Sequence, residues 1–367
     1  MSCGTTGNLV MAKKCENFHP PPRDDVDLWE LSRSHGRSIR FADEDQFSPS
    51  FDHGYHGGFS PRHDHEPFMD QSDEVFEDLT PSAVFVGQFG HYEEAPNGRL
   101  GTFRSPSSID CARDGRLAVV DADTGSVQMF ARNGDYLSSF RVLGARAACF
   151  IEDAARGESL AVATSSGVSI CEQTGRVDKH LPVGTDLVAV APLRHGGGVF
   201  VAAHRNRLTV CDRYKPTAVL RSIGSVRPPN APIGHPGMQF TDIVALATTA
   251  TPRVYLVDAA AVVAVDIDTG ILLQSFTAAE TSLLRQPSAV SVDLVTSSIL
   301  VCDATTQRVM QFDADIDGGR RRCVVQLADD GGRCVALTAG PRGPDGHQLV
   351  YVVYRGHCFA EVRMFQI

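Results

Sequence analysis

The sequence predicts an all-β fold built from six repeats of a four-stranded antiparallel sheet. One repeat is clear in residues 106–140, where four short apolar segments are separated by polar turns. Asp114-Gly115 and Asn133-Gly134 each join two of these segments, and both dipeptides favour two-residue β-hairpin turns. Because a single four-stranded sheet cannot bury both of its faces, the unit is expected to recur along the chain.

The pattern recurs in a second well-preserved copy and in four weaker ones. Residues 287–312 repeat the order of a strand that begins with proline, an apolar strand that ends at Asp303, and a third strand. The polar loops after the apolar second strands begin at positions 121, 164, 204, 258, 303 and 354. This spacing suits the blades of a β-propeller, so the sequence predicts one six-bladed propeller over residues 83–367.

The ends of the repeat region predict how the ring closes. The last repeat stops at Ile367 after its third strand, whereas residues 83–90 form an apolar strand ahead of the first repeat. We expect this N-terminal strand to supply the fourth strand of the last blade, because the pairing removes two open sheet edges.

Residues 1–81 are predicted to be a disordered acidic tail, since they are polar and show no sustained hydrophobic periodicity. They hold 16 acidic and 7 basic residues, a net charge of −9, whereas the remainder holds 28 acidic and 27 basic residues. Four histidines between positions 53 and 65 are loosely spaced, so a solvated tail is favoured over a metal site.

One tail segment resembles the docking motif of protein phosphatase-1 partners, in which a basic residue precedes Val or Ile, a free position and Phe. Arg37, Ile39 and Phe41 occupy these positions. Such a segment would add a strand to a sheet edge while its two apolar side chains enter pockets. A phosphatase is therefore a predicted protein partner of the tail; the alternative is a tail segment that binds nothing.

The propeller repeats resemble the NHL repeat, the propeller found at the C-terminus of TRIM-NHL proteins. The first and fifth repeats carry the resemblance, which covers roughly residues 83–367. It implies a platform for single-stranded RNA on the face formed by the loops that precede each first strand and the loops between second and third strands. Basic side chains would meet phosphates and aromatic groups would stack on bases.

Twelve residues of these loops are the predicted binding residues, for RNA or for another partner. They are Arg104, Arg146, His204, Arg205, Arg207, Phe240, Arg285, Gln286, Arg308, Tyr354, Arg355 and His357. Four acidic residues fall on the same rim and would oppose RNA binding: Asp121, Asp123, Asp258 and Asp303.

Besides RNA binding, a protein-interaction scaffold and an enzyme are the alternative functions for such a propeller. A propeller face binds a peptide as readily as RNA, and the near-neutral charge of the repeat region fits such a protein-interaction scaffold. An enzyme is disfavoured, because no nucleophile–His–Asp order stands out and no cofactor or metal motif is present.

The composition predicts a cytoplasmic protein with reduced thiols. The ten cysteines contain no Cys-x-x-Cys pair, and the absence of paired Cys and His also means that no RING or B-box is expected. The start of the chain lacks a signal-peptide apolar core, and no 18-residue apolar run predicts a membrane span. The function predicted on these grounds is post-transcriptional regulation through single-stranded RNA.

Overall fold

A computed structural model shows six β-sheets arranged around a closed ring. It describes residues 77–78, 80–92, 100–153, 157–193, 197–215, 217–226, 239–277, 284–313, 321–328 and 330–367. These residues form 27 strands and no helix. The innermost strands of successive blades pack side by side, and the last packs against the first. The predicted six-bladed β-propeller is confirmed.

Two strands precede the first blade, and each of the first three blades is a four-stranded antiparallel sheet. The two leading strands are β1 (Glu77–Asp78) and β2 (Val84–Phe89). Blade 1 contains β3 (Pro106–Cys111), β4 (Leu117–Asp121), β5 (Ser126–Phe130) and β6 (Tyr136–Arg141). Blade 2 contains β7 (Ala147–Asp153), β8 (Gly157–Thr164), β9 (Gly167–Cys171) and β10 (Val177–Leu181). Blade 3 contains β11 (Leu187–Pro192), β12 (Val199–His204), β13 (Arg207–Asp212) and β14 (Val219–Ile223).

A short parallel pair separates blade 3 from the remaining three blades. It consists of β15 (Ser225–Val226) and β16 (Gln239–Phe240). Blade 4 contains β17 (Ile243–Thr248), β18 (Arg253–Asp258), β19 (Ala261–Asp266) and β20 (Leu272–Thr277). Blade 5 contains β21 (Pro287–Val292), β22 (Ile299–Asp303), β23 (Arg308–Phe312) and β24 (Arg321–Gln326). Blade 6 contains β25 (Arg333–Arg342), β26 (Gln348–Arg355) and β27 (Ala360–Gln366), with β2 as its outer strand.

The closure of the ring follows the prediction from the chain ends. β2 pairs antiparallel with β27, and Val84 lies opposite Gln366 while Phe89 lies opposite Val362. The ring is therefore closed by a strand from the N-terminal side of the chain, which leaves no open fourth position in blade 6.

The hydrophobic core is divided into six clusters, and each cluster lies between two neighbouring blades. The second strand of each blade contributes to the clusters on both sides. In β4 all five residues are buried, which explains why Leu117–Val120 is apolar without alternation. The outer strands are more exposed, as in β6 and β14.

Tight hairpins bring neighbouring blades together at the outer rim. Gly134 sits in the Asn133-Gly134 turn of blade 1 with a φ of 89°. A Cβ atom at this position would lie 2.6 Å from Cδ1 of Phe89. Glycine is required there both by the left-handed backbone and by the close approach of the closing strand β2.

The inner strands hydrogen-bond to one another through side chains that line the central channel. The amide of Phe150 in blade 2 donates to the Asp110 carboxylate of blade 1 at 2.8 Å. The amide of Ala339 in blade 6 donates to the hydroxyl of Ser291 in blade 5 at 3.1 Å. Polar residues on the inner strands thus satisfy backbone groups that the sheet ladders leave unpaired.

One short strand lies within the segment that the sequence predicted to be tail. β1 pairs in parallel with β24, so that Glu77 lies opposite Arg321 and Asp78 opposite Arg322. Blade 5 therefore has a fifth strand on its outer edge. The docking motif at Arg37, Ile39 and Phe41 lies outside the described residues, and the phosphatase partner stays a prediction.

The eight cysteines among the described residues are free, and seven of them are buried. Burial raises the pKa of the Cys171 thiol to about 11 and that of Cys211 to about 12. At neutral pH these groups are therefore uncharged and act as packing side chains. Within the described residues, no helix has the length and apolar character needed to cross a membrane.

Candidate functional site

The predicted binding residues belong to loops at one end of the propeller, which we call the loop face. It consists of the loops that lead into the inner strands and the loops between second and third strands. The first register pair of blade 1 joins Pro106 to Asp121, so the two kinds of loop meet at the same end of the blade. The corresponding pairs are Ile243 with Asp258 in blade 4 and Pro287 with Asp303 in blade 5.

Three aspartates at the ends of the second strands connect these loops. The Asp121 carboxylate accepts hydrogen bonds from the backbone amides of Arg104, at 2.6 Å, and Ser105, at 3.2 Å. The Asp303 carboxylate accepts from the amides of Arg285 and Gln286. Asp121 and Asp303 are fully buried. The carboxylates of these two aspartates therefore face the loops and are shielded from solvent.

Asp258 has the same role in blade 4. Its carboxylate accepts from the amides of Thr241, at 2.9 Å, and Asp242, at 2.6 Å. From the sequence alone, these aspartates are predicted to be rim acids that oppose RNA binding. The structure shows that they fasten the loops, because carboxylates accept strong hydrogen bonds from backbone N–H groups.

His204, predicted from the sequence as a binding residue, occupies the same position in blade 3, but its side chain is buried. Its Nδ1 lies 2.8 Å from the Thr185 carbonyl oxygen, so the ring links the two loops as the aspartates do. Burial lowers the pKa of His204, and the hydrogen bond to Thr185 opposes this shift.

Tyr354, at the same position in blade 6, is also buried and cannot stack on a base. Its hydroxyl lies 2.5 Å from the Ala328 carbonyl and 2.7 Å from the Asp330 carboxylate. The Arg363 guanidinium covers its ring, with Cζ 3.9 Å from the ring centroid. Burial, followed by the nearby Asp330, raises the pKa of Tyr354.

Phe240 is the third predicted binding residue that the structure places in the interior. Only 2% of it is exposed, and it packs in the core cluster between blades 3 and 4. Its ring approaches Gly224 so closely that a Cβ atom at that glycine would overlap it. Phe240 is predicted from the sequence to bind RNA or a partner on the loop face. In the structure its ring packs in the core instead and holds β16 against the propeller.

Seven of the twelve predicted side chains are exposed on the loop face, and two are partly buried. The exposed residues are Arg104, Arg146, Arg205, Arg207, Arg285, Gln286 and His357. Arg205 pairs with Asp242 at 3.0 Å. Of the partly buried pair, Arg308 donates from Nε to Gln326 at 2.8 Å, and Arg355 donates to Ser105 at 2.6 Å.

Two further residues of the loop face, Arg333 and Phe359, were not predicted from the sequence. Arg333, which begins β25, is exposed and lies directly opposite Arg355 in the ladder with β26. Phe359 is partly exposed in the next loop, and its ring lies 5.6 Å from that of Tyr354. Arg333 holds the position that Gln286 holds in blade 5, directly before the residue that pairs near the end of the second strand. The rule that selected Gln286 would therefore have found Arg333, but blade 6 has no proline to mark the strand start.

The loop face has the chemistry of an anion-binding surface. Within the described residues, no carboxylate lies within 4 Å of the guanidinium groups of Arg104, Arg146, Arg207 or Arg285. Acidic side chains are also exposed there, at Asp123 and Asp186. Arginine presents a planar fork of donors that matches phosphate or carboxylate oxygens.

The described residues contain no cluster of three or more His, Cys, Asp or Glu that could hold a metal ion. A cavity of about 110 Å³ lies in the central channel and is lined by residues of the six inner strands, most of them small or aliphatic. No protein-family model and no curated protein matches the chain in sequence. The chain is a six-bladed β-propeller. Such propellers are typical scaffolds for binding proteins or RNA.

Proposed function

We propose that the protein is a cytoplasmic, non-enzymatic, NHL-type propeller that binds single-stranded RNA through its loop face and regulates RNA after transcription. The proposal rests on one observation: arginine side chains of the loop face are exposed to solvent, whereas the aspartates beside them are buried. Arg104 and Arg285 extend from the two loops whose backbone amides bind Asp121 and Asp303. The carboxylates are thereby used inside the protein, while the guanidinium groups face solvent.

The distribution of these arginines suits a flexible polyanion. Arg104, Arg146, Arg207 and Arg285 belong to the loops of four different blades. A single strand of RNA is flexible enough to follow such separated charges, and basic residues that track its backbone bind with little sequence preference. The charge of residues 82–367 is close to neutral overall, so attraction would come from this face and not from the whole surface.

A protein partner on the same face is the second candidate. It is favoured by the burial of Phe240 and Tyr354, which removes two of the aromatic rings predicted to stack on bases. A peptide needs fewer stacking surfaces than RNA and can use the arginines to bind its acidic side chains.

The test is fluorescence anisotropy with a labelled single-stranded RNA of random sequence. We expect the Arg146→Ala/Arg207→Ala variant to bind more weakly than the wild type, by about 1–2 kcal/mol in total, because exposed contacts to phosphate are partly screened. The matched control is Arg113→Ala/Arg176→Ala, which removes two exposed arginines from hairpins at the other end of the blades. RNA binding that is absent, or that both variants weaken equally, would contradict the proposal.

A further inference from the structure

Two arginines face each other across the strand ladder at the loop face of blade 6. Arg333 and Arg355 are register partners in the antiparallel pair of β25 and β26. Residues opposite one another in such a pair have their Cα atoms about 4.5–5.5 Å apart, and like charges at these positions destabilise the sheet. The Arg333–Arg355 pair therefore destabilises the folded state, and the pairing of β25 with β26 does not itself require two arginines at these positions.

The surroundings compensate the two charges only in part. Among the described residues, neither guanidinium has a carboxylate within 4 Å. Asp121 is nearby, but its oxygens already accept hydrogen bonds from the amides of Arg104 and Ser105. Asp123, and then Asp121, attract the Arg355 guanidinium and raise its pKa, but their combined effect is smaller than the opposing effects. Burial, and then repulsion by Arg333, lower the pKa of Arg355.

Arg355 also links blade 6 to the neighbouring blade 1. Arg355 of blade 6 donates from Nη1 to the Ser105 hydroxyl of blade 1 at 2.6 Å. This bond fixes the position of one guanidinium and uses one of its five N–H donors. Within the part of the chain that the structure describes, the other side-chain donors of Arg355 and all those of the exposed Arg333 have no hydrogen-bond partner, so they are available to a ligand with several acceptor oxygens.

We propose that Arg333 and Arg355 form a phosphate-binding site at the seam between blades 6 and 1, which holds one phosphate of a single-stranded RNA. The inference rests on the proposed function and assigns it a specific position. Two guanidinium groups on adjacent strands bind one phosphate through parallel pairs of N–H···O bonds, and the ligand's negative charge removes their repulsion.

Phe359 favours a nucleotide over an acidic peptide at this position. It follows Arg355 in the same loop, where the Gly356 amide donates to the Phe359 carbonyl at 2.9 Å. Its ring is partly exposed, packs against the core cluster between blades 5 and 6, and has its centroid 5.6 Å from that of the Tyr354 ring. A base attached to the bound phosphate would stack on this ring, as bases do in single-strand-binding proteins.

The first test measures thermal stability of the full chain as inorganic phosphate replaces chloride at constant ionic strength. We expect phosphate to raise the melting temperature of the wild type and of the control Arg113→Gln/Arg176→Gln. It should not do so for Arg333→Gln/Arg355→Gln. The single variant Arg333→Gln keeps the Arg355–Ser105 bond and should also lose the phosphate response. An equal response in all four proteins, or none in the wild type, would overturn the site.

The second test uses anisotropy with a single-stranded oligouridine and, separately, with a labelled polyglutamate peptide. We expect Arg333→Gln to weaken oligouridine binding about fivefold or more, since charge-assisted bonds to phosphate are lost. If Arg333→Gln binds oligouridine as the wild type does, the site is overturned while RNA binding by the protein stands. If the wild type responds to phosphate but binds no oligouridine, or binds polyglutamate more tightly, the assignment to RNA is overturned together with the proposed function.

Discussion

At the scale of residues, the position at the end of the second strand has a structural role in several blades. This role could not be predicted from the charge of the residue. Asp121, Asp258 and Asp303 appeared from the sequence to be acids on a binding rim, but each accepts backbone hydrogen bonds from the preceding loop. The equivalent His204 and Tyr354 make corresponding links with other chemistry. A residue type does not reveal whether its side chain turns inward, because this depends on which loop lies behind it.

Arginine positions could be predicted better than aromatic ones. Arg104 and Arg285 precede a strand-initiating proline, and exposure follows from this register. Phe240 and Tyr354 have large apolar surfaces that are stabilised by burial, so a position beside a loop was not enough to place them outside. Arg333 was missed because its repeat carries no proline to mark the strand start.

The first residue-scale prediction concerns the glycine between blades 1 and 6. Gly134→Ala introduces a Cβ atom at a φ of 89° and next to the Phe89 ring. We expect the free energy of unfolding to fall by about 3 kcal/mol, from backbone strain and overpacking together. The measurement is the denaturation midpoint in urea.

Gly157 provides the matched control for that substitution. It has a φ of 79°, but a Cβ atom there would meet no atom within 4 Å. Gly157→Ala should therefore show only the backbone cost, about 1 kcal/mol. Equal destabilisation by the two substitutions would show that the close approach of Phe89 to Gly134 adds nothing to the loss in the free energy of unfolding.

The second residue-scale prediction is a pH dependence from Asp293, which is buried beside Arg342. Burial alone would raise its pKa, but hydrogen bonds from the Thr296 hydroxyl, the Val295 amide and Arg342 outweigh burial and lower the pKa. A carboxyl with a lower pKa in the folded state stabilises that state above the unfolded pKa, and this contribution is lost as the pH falls through the folded pKa.

Asp293→Asn should consequently melt at a lower temperature than the wild type at pH 7. The difference should shrink as the pH falls below about 4, where the carboxyl becomes protonated in the unfolded and then the folded chain. Melting curves from pH 7 to pH 3 measure this, with the exposed Asp123→Asn as control. A difference that stays constant with pH would mean that the Asp293 charge is not stabilising.

At the scale of elements, the strands and hairpins of the first and fifth blades could be predicted almost directly. Their second strands are apolar up to the final aspartate because both faces pack against neighbouring blades. In blade 1, Asp114-Gly115 and Asn133-Gly134 also mark two of the turns. The two-residue parallel strands β1, β15 and β16 were not predicted, since such short segments have no hydrophobic period.

The element-scale prediction tests the closing strand. A chain lacking residues 83–90 loses β2, so β27 becomes an open edge and the closing contacts of Phe89 disappear. We expect it to melt more than about 10 °C lower than the wild type, or to aggregate. A chain lacking residues 1–75 keeps β1 and β2 and should melt close to the wild type. Equal melting of the two shortened chains would contradict this role of β2.

At the scale of the whole molecule, the ring determines what the loop face can do. Six core clusters hold the blades in fixed positions, so the arginines of different blades are presented on one rigid surface. The repeat region is almost neutral in charge, and only the folded ring gathers these side chains at one end. The number and closure of the blades could be predicted from the sequence. The pairing of Arg333 with Arg355 could not, because it depends on the register between β25 and β26.

The salt dependence of RNA binding shows whether arginines of the loop face contact phosphates. For single strands, the logarithm of the binding constant falls with the logarithm of the salt concentration by about 0.7 for each phosphate neutralised. If Arg104, Arg146, Arg207 and Arg285 each contact a phosphate, the slope for a random single-stranded RNA should be about −3. A slope near zero, or no detectable binding at about 50 mM salt, would contradict RNA binding by the loop face.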